Sequence, residues 1–136
     1  MGWNRAMAVN LNAIGQIALG VSDVDRSEQF YGSVLGLRHL YRFGDLTFFD
    51  CAGVRLMLEK AHEGVDASAG SFIYFRCPDL HIAVAELEKR GVGFSLRPHL
   101  IARMDDHDLW MAFCADPDGH QLALMQEARK GWTPNA

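Results

Sequence analysis

The stretch Gln16-Ile17-Ala18-Leu19-Gly20-Val21-Ser22-Asp23-Val24-Asp25 passes from an apolar, β-rich run straight into a helix start, and the chain later does the same again. At Phe72-Ile73-Tyr74-Phe75-Arg76-Cys77-Pro78-Asp79-Leu80, a second apolar run meets Pro and Asp where a helix would begin. Asp23 and Asp79 stand 56 positions apart and occupy the same place in each copy. In the first copy, a strand is expected over Ile14 to Val21, and Ser22 to Asp25 has the pattern of an N-terminal cap. Apolar residues then recur at Val24, Tyr31, Val34 and Leu35 with helical spacing, and Gly36 supplies the stop. In the second copy, Phe72 to Cys77 is the strand, Leu80, Ala83, Val84 and Leu87 form the buried stripe, and Gly91 ends the helix.

The segments after the two helices match as well. After Gly36 come three β-rich runs, Leu37 to Phe43, Leu46 to Cys51 and Val54 to Glu59. After Gly91 come Gly93 to Leu96, Asp108 to Cys114 and Gln121 to Met125, with Asp116-Pro117-Asp118-Gly119 as a hairpin turn between the last two. The predicted unit is βαβββ, used twice, over 13–60 and 71–127, with a small, polar linker at 61–70. The fold class is therefore α+β, a single domain over 13–127. Neither module has enough apolar surface to stand alone, so the two must bury surface together.

Composition narrows the function classes. The chain has 136 residues, 49% hydrophobic and 22% charged, which is ordinary globular usage. A formal net charge of −4, with Lys and Arg unclustered, argues against nucleic acid as a partner. No apolar run approaches the ~20 residues of a membrane helix, and no signal-like segment opens the chain, so the expectation is a cytoplasmic protein. Cys51, Cys77 and Cys114 lack CxxC spacing and sit in apolar runs, as reduced, buried thiols do. There is no GxSxG elbow and no glycine-rich phosphate loop.

Three segments together carry a resemblance: Gln16-Ile17-Ala18-Leu19-x-Val21-x-Asp23, Phe30-Tyr31-x-x-Val34-Leu35-Gly36-Leu37, and Asp116-Pro117-Asp118-Gly119-x-x-Leu122-Ala123-Leu124. They resemble the vicinal oxygen chelate superfamily, which includes glyoxalase I, bleomycin- and fosfomycin-resistance proteins and extradiol dioxygenases. The resemblance implies paired half-barrels and a homodimer. It also implies four metal-ligand positions, one near the start of each module's first strand and one on its last. Counting from Asp23 and Asp79, and from Gly53 and Gly119, these fall at Gln16, Met57, Phe72 and Ala123. A catalytic divalent cation needs at least three N or O donors, and this set offers one amide oxygen. A two-residue shift of register would bring Glu59 in place of Met57, which is still one donor short. No cofactor and no metal are expected, and the expected partner is a small molecule.

The remaining candidates come from strand alternation. With Gln16, Met57, Glu59, Phe72, Tyr74, Gln121 and Ala123 lining it, the inferred cavity is largely apolar with a few polar groups, as small-molecule sites are. Trp110 shares a face with Asp108, Ala112 and Cys114; it is a stacking platform if that face lines the cavity and a core aromatic otherwise. The polar stretch from His99 to Asp108 reads as a pocket-lip loop longer than its counterpart at Gly44-Asp45. There His107, beside Asp105 and Asp108, is a candidate general base, and His99, Asp105 and His107 are a candidate displaced metal site. The plainer reading of the same stretch is a solvated loop whose Asp residues face water. Two functions remain open: a metal-independent binder of an apolar or aromatic molecule, or a lyase, isomerase or dioxygenase using that displaced site or His107.

Overall fold

Asp23 and Asp79 set the first local structure. In the computed structural model, which describes residues 13–61 and 71–134, each carboxylate accepts a backbone N–H three residues ahead, from Arg26 at 3.1 Å and from Ile82 at 3.0 Å. These bonds satisfy donors that a helix start leaves unpaired. They open α1 (Val24–Gln29) and α2 (Leu80–Lys89). The first helix continues into a π-helical turn, Phe30–Val34, where Leu35 N–H reaches back to Phe30 C=O at 2.8 Å. Such turns arise where one extra residue is accommodated within a helix. Gly36, at φ +79°, then releases the chain.

The strands are β1 (Gln16–Val21), β2 (Arg38–Phe43), β3 (Leu46–Cys51) and β4 (Val54–Lys60), then β5 (Phe72–Arg76), β6 (Phe94–Arg103), β7 (Asp108–Ala115) and β8 (Gln121–Ala128). They form two sheets, in the orders β1-β4-β3-β2 and β5-β8-β7-β6. In each, the first and last strands pair in parallel and the others antiparallel. The duplicated βαβββ plan of an α+β fold is thus present. Most of the expected linker, 62–70, lies outside the described residues.

The expectation of a long polar loop before β7 is corrected here. Residues His99 to Arg103 are not loop: β6 runs through them, and the turn is confined to Met104–His107, closed by Met104 N–H to His107 C=O at 2.8 Å. Pro98 obscured the strand, because proline interrupts a β pattern; β6 is an edge strand, where a missing N–H is tolerated. Register shifts along β6 further blur its alternation.

Each sheet presents one face to its helix, and the two helix-bearing faces share a single core. Leu19, Val21, Phe49, Leu56 and Leu58 of the first sheet join Ala112, Cys114, Leu122 and Leu124 of the second, with Tyr31, Leu80, Val84 and Leu87 between them. Burying each large side chain of this set contributes about 1.5–3 kcal/mol. The opposite faces of both sheets are therefore turned outward.

The Asp116-Pro117-Asp118-Gly119 turn does more than reverse the chain. Gly119, at φ +88°, closes it by donating to Asp116 C=O at 2.9 Å. The Asp116 carboxylate accepts the backbone N–H of Asp118 at 3.0 Å and of His120 at 2.8 Å, and the buried Tyr31 hydroxyl donates to it at 2.7 Å from the other module. His120 Nδ1 lies 2.7 Å from the same carboxylate. Asp118 reaches the start of α1, accepting Ser22 N–H at 3.0 Å and Ser27 Oγ–H at 3.4 Å. Burial and then the Asp116 charge push the Tyr31 hydroxyl far above its ordinary pKa, so it stays a donor.

Beyond β8, the chain is tied back at Asp108, whose buried carboxylate accepts Lys130 Nζ–H at 2.8 Å and Gly131 N–H at 3.0 Å. Trp132 then meets Trp110 edge-on at 5.5 Å.

These contacts have measurable consequences. Tyr31→Phe should lower unfolding free energy by roughly 1.5–3 kcal/mol in urea titrations, since a buried carboxylate loses a donor while the ring still packs. The Lys130 and Gly131 bonds hold the Asp108 carboxyl below the usual carboxylate range. Its stabilisation is therefore present above the ordinary value, about 3.9, and lost as pH falls through the lower folded value. Asp108→Asn should lower the melting temperature at pH 7, and the gap from the parent protein should shrink below about pH 4.

Candidate functional site

The outward face of the first sheet carries Gln16 on β1 and Met57 and Glu59 on β4. Met57 sits in register between Ala18 and Phe48, and Phe48 stacks on Tyr41 with ring centroids 4.6 Å apart. The Gln16 amide faces the Met57 thioether, Nε2 to Sδ at 3.8 Å. Glu59 is one pleat further along, exposed, between Gly20 and Leu46.

The outward face of the second sheet carries Phe72 and Tyr74 on β5, stacked at 4.8 Å and 19°. Phe113 on β7 meets Phe72 edge-on at 6.0 Å. Ala123 is fully buried between Tyr74 and Phe113 in the strand register, and Gln121 is paired with Phe72. His99 lies on the same face, paired with Met111 at the sheet edge. Phe72 and Tyr74 remain 46% and 53% exposed, an unusual cost for adjacent aromatic rings unless something covers them.

The structure brings these residues together as two groups rather than one. Gln16, Met57 and Glu59 occupy one outward face; Phe72, Tyr74, His99, Gln121 and Ala123 occupy the other. The expected convergence into one cavity does not occur within the chain, because the helix-bearing faces pack against each other and turn these residues away from the shared core.

Trp110 and His107 belong to neither group. Trp110 pairs with Gln126 on the helix-bearing face and packs against the core and Trp132, so it is a core aromatic; its indole N–H has no partner among the described residues. His107 lies in the β6–β7 turn, with Nδ1 2.7 Å from Asp106 Oδ1. Phe113, six positions along β7, is about 20 Å away at strand rise. His99 is four residues from the end of β6, so it does not meet Asp105 and His107 to form a displaced metal site. Among the described residues, no group of three or more His, Cys, Asp or Glu is placed to hold a metal ion.

The superfamily's divalent cation does not fit the four aligned positions. Phe72 and Ala123 offer carbon only, Met57 offers a soft thioether, and the Gln16 amide is aimed at that thioether. The thiols offer no nucleophile: burial pushes Cys77 and Cys114 up to about 11, and raises Cys51 as well.

Sequence reasoning missed Tyr41, Phe48 and Phe113 as members of the aromatic faces. The available signal was the alternation of Leu122 and Leu124 with Ala123, which puts Phe113 beside Ala123 and Trp110 on the opposite side.

The Glyoxalase/Bleomycin resistance protein/Dioxygenase superfamily matches residues 13–124. Among solved structures, an integron cassette protein from the mobile metagenome of V. cholerae superimposes with a TM-score of 0.74 at 16% identity, covering 88% of this chain and 98% of its own. A lactoylglutathione lyase from Agrobacterium tumefaciens gives 0.71 at 21% identity, covering 86% and 95%. A glyoxalase/bleomycin resistance protein/dioxygenase from Nocardioides gives 0.68 at 22%, covering 97% and 94%. At such identities these likenesses speak for the fold, while the superfamily match spans most of the chain. With its duplicated βαβββ sheets and these motifs in place, the chain belongs to the Glyoxalase/Bleomycin resistance protein/Dioxygenase superfamily.

Proposed function

We propose that this protein binds a small apolar or aromatic molecule without a metal ion, in the manner of the superfamily's bleomycin-resistance branch. What supports this reading is the apolar chemistry of both outward faces: Phe72, Tyr74 and Phe113 on one, Tyr41, Phe48 and Met57 on the other, with Met57 and Phe72 at two of the four positions where the resemblance implies metal ligands. Stacked rings recognise flat apolar ligands through dispersion and ring quadrupoles, and Gln16, Glu59, Gln121 and His99 supply polar groups for orientation. Because each face is open and half of a site, the binding unit is a homodimer in which the first-sheet face of one copy closes on the second-sheet face of the other. Covering the exposed Phe43, Phe72 and Tyr74 favours such pairing.

The alternative, a lyase, isomerase or dioxygenase, has one supporting contact: the Asp106–His107 pair at 2.7 Å, which would orient an imidazole for general-base work. It requires His107 to reach a substrate at the β6–β7 turn.

Three measurements test these readings. With 2-naphthol as a flat neutral probe, Tyr74→Ala should weaken binding roughly ten-fold in an NMR titration, through loss of ring stacking and contact area; an unchanged affinity would remove the aromatic face from the site. Dialysis against Mn²⁺, Ni²⁺, Zn²⁺ or Fe²⁺ should leave the unfolding temperature unmoved, whereas stoichiometric uptake lost in Gln16→Ala would end the metal-independent reading. If the protein turns a substrate over, the enzyme reading holds, and His107→Ala should then abolish turnover with binding nearly intact; unchanged turnover would remove His107 as the general base.

A further inference from the structure

A groove of about 320 Å³ lies between the two modules, lined chiefly by side chains of α2 and of the helix-bearing sheet face. Its walls are Leu35 and Leu37, which come directly after the π-helical turn, Phe75 on β5, and Ala83 and Leu87 on α2. Arg76, Glu86 and Arg90 stand at its rim.

Arg90 is held in place. Its Nε donates to Glu86 Oε1 at 3.3 Å and its Nη1 to Val34 C=O at 2.8 Å, so the guanidinium bridges from α2 to the first module. Among the described residues, Nη2 has no hydrogen-bond partner. Glu86 is already engaged by Arg90, and Arg76 pairs with Glu127, at 3.6 Å and largely in solvent. The rim thus sets Arg76 and Arg90 against Glu127 and Glu86, and what it offers a ligand is one guanidinium edge, Arg90 Nη2, free to donate among the described residues. Fixed forks of this kind suit carboxylates and other planar or tetrahedral anions.

We infer that this groove binds a small amphipathic anion, a carboxylate or sulfonate with an apolar body, whose tail lies along Leu37, Phe75, Ala83 and Leu87 and whose head meets Arg90. This site is separate from the aromatic faces and does not depend on their function. The Cys77 thiol in the same wall, raised to about 11 by burial and then by Asp79, stays neutral near pH 7 and adds no competing charge.

The test uses the full chain with sodium decanoate, kept below its micellar concentration, and 1-decanol as its uncharged counterpart, read by calorimetry and amide chemical shifts. Decanoate should bind saturably at one per chain, with shifts clustered on Leu35, Leu37, Phe75 and Ala83. Arg90→Gln should weaken decanoate about ten-fold and leave decanol unchanged, as loss of a charge-assisted bond requires, and Arg90→Lys should recover part of the loss. Ala83→Trp, which fills the groove, should abolish both, and Tyr74→Ala should alter neither. Absence of saturable binding, equal losses for decanoate and decanol in Arg90→Gln, or shifts on the aromatic faces would overturn the assignment. So would protein-concentration-dependent closure of the groove, which would make its occupant a second copy. If Ala83→Trp fails to fold by circular dichroism, the Arg90→Gln comparison decides alone.

Discussion

One buried carboxylate ties the two halves of this molecule together. Asp116 accepts hydrogen bonds from its own turn, lies within bonding distance of His120 Nδ1, and receives the Tyr31 hydroxyl from the opposite module. A charge taken out of water is costly unless several donors replace the solvent, and here they do. Two residues on, Asp118 collects Ser22 and Ser27 at the start of α1. The second module's last hairpin therefore grips the first module's helix, alongside the apolar core that the two modules share.

This packing sets the character of the surface. Because the helix-bearing faces meet, each sheet has one face left over, and those faces carry Gln16, Met57, Phe72 and Ala123, the positions at which the family resemblance implies metal ligands. At those positions stand an amide, a thioether, a ring and an alanine. A hard cation would find one oxygen donor there, fewer than a catalytic site needs. The identity of a few such side chains decides the chemistry a scaffold can support without altering the scaffold, since function resides in side chains grafted on a fold.

Packing of the modules also creates the space between them. Leu35 and Leu37 emerge from the π-helical turn against α2 without filling the gap, and Arg90 spans it. The π-helical turn thus sets where the chain leaves the first helix and delivers Leu35 and Leu37 to this wall.

Much of the architecture was legible along the chain. The repeated strand-to-Asp transitions, the glycine stops and the Asp-Pro-Asp-Gly turn are local signals: caps, positive φ and alternation act over a few residues, so the chain alone determined the eight strands and two helices in outline. The donor-poor identities of Gln16, Met57, Phe72 and Ala123 were equally plain, since side-chain chemistry needs no coordinates. The strand content of His99 to Arg103 was not legible, because Pro98 and the bulges of β6 break the alternation that would announce it. Nor was the face that Trp110 takes, since alternation divides a strand into two sides without saying which side is inside. Only tertiary structure decided that, by packing the helices of both modules into one core. The same packing sent Gln16 and Phe72 to separate surfaces and made a clasp of two aspartates that look, in sequence, like parts of an ordinary turn. Such contacts join residues some 85 positions apart, as Tyr31 and Asp116 are, and no local pattern encodes them.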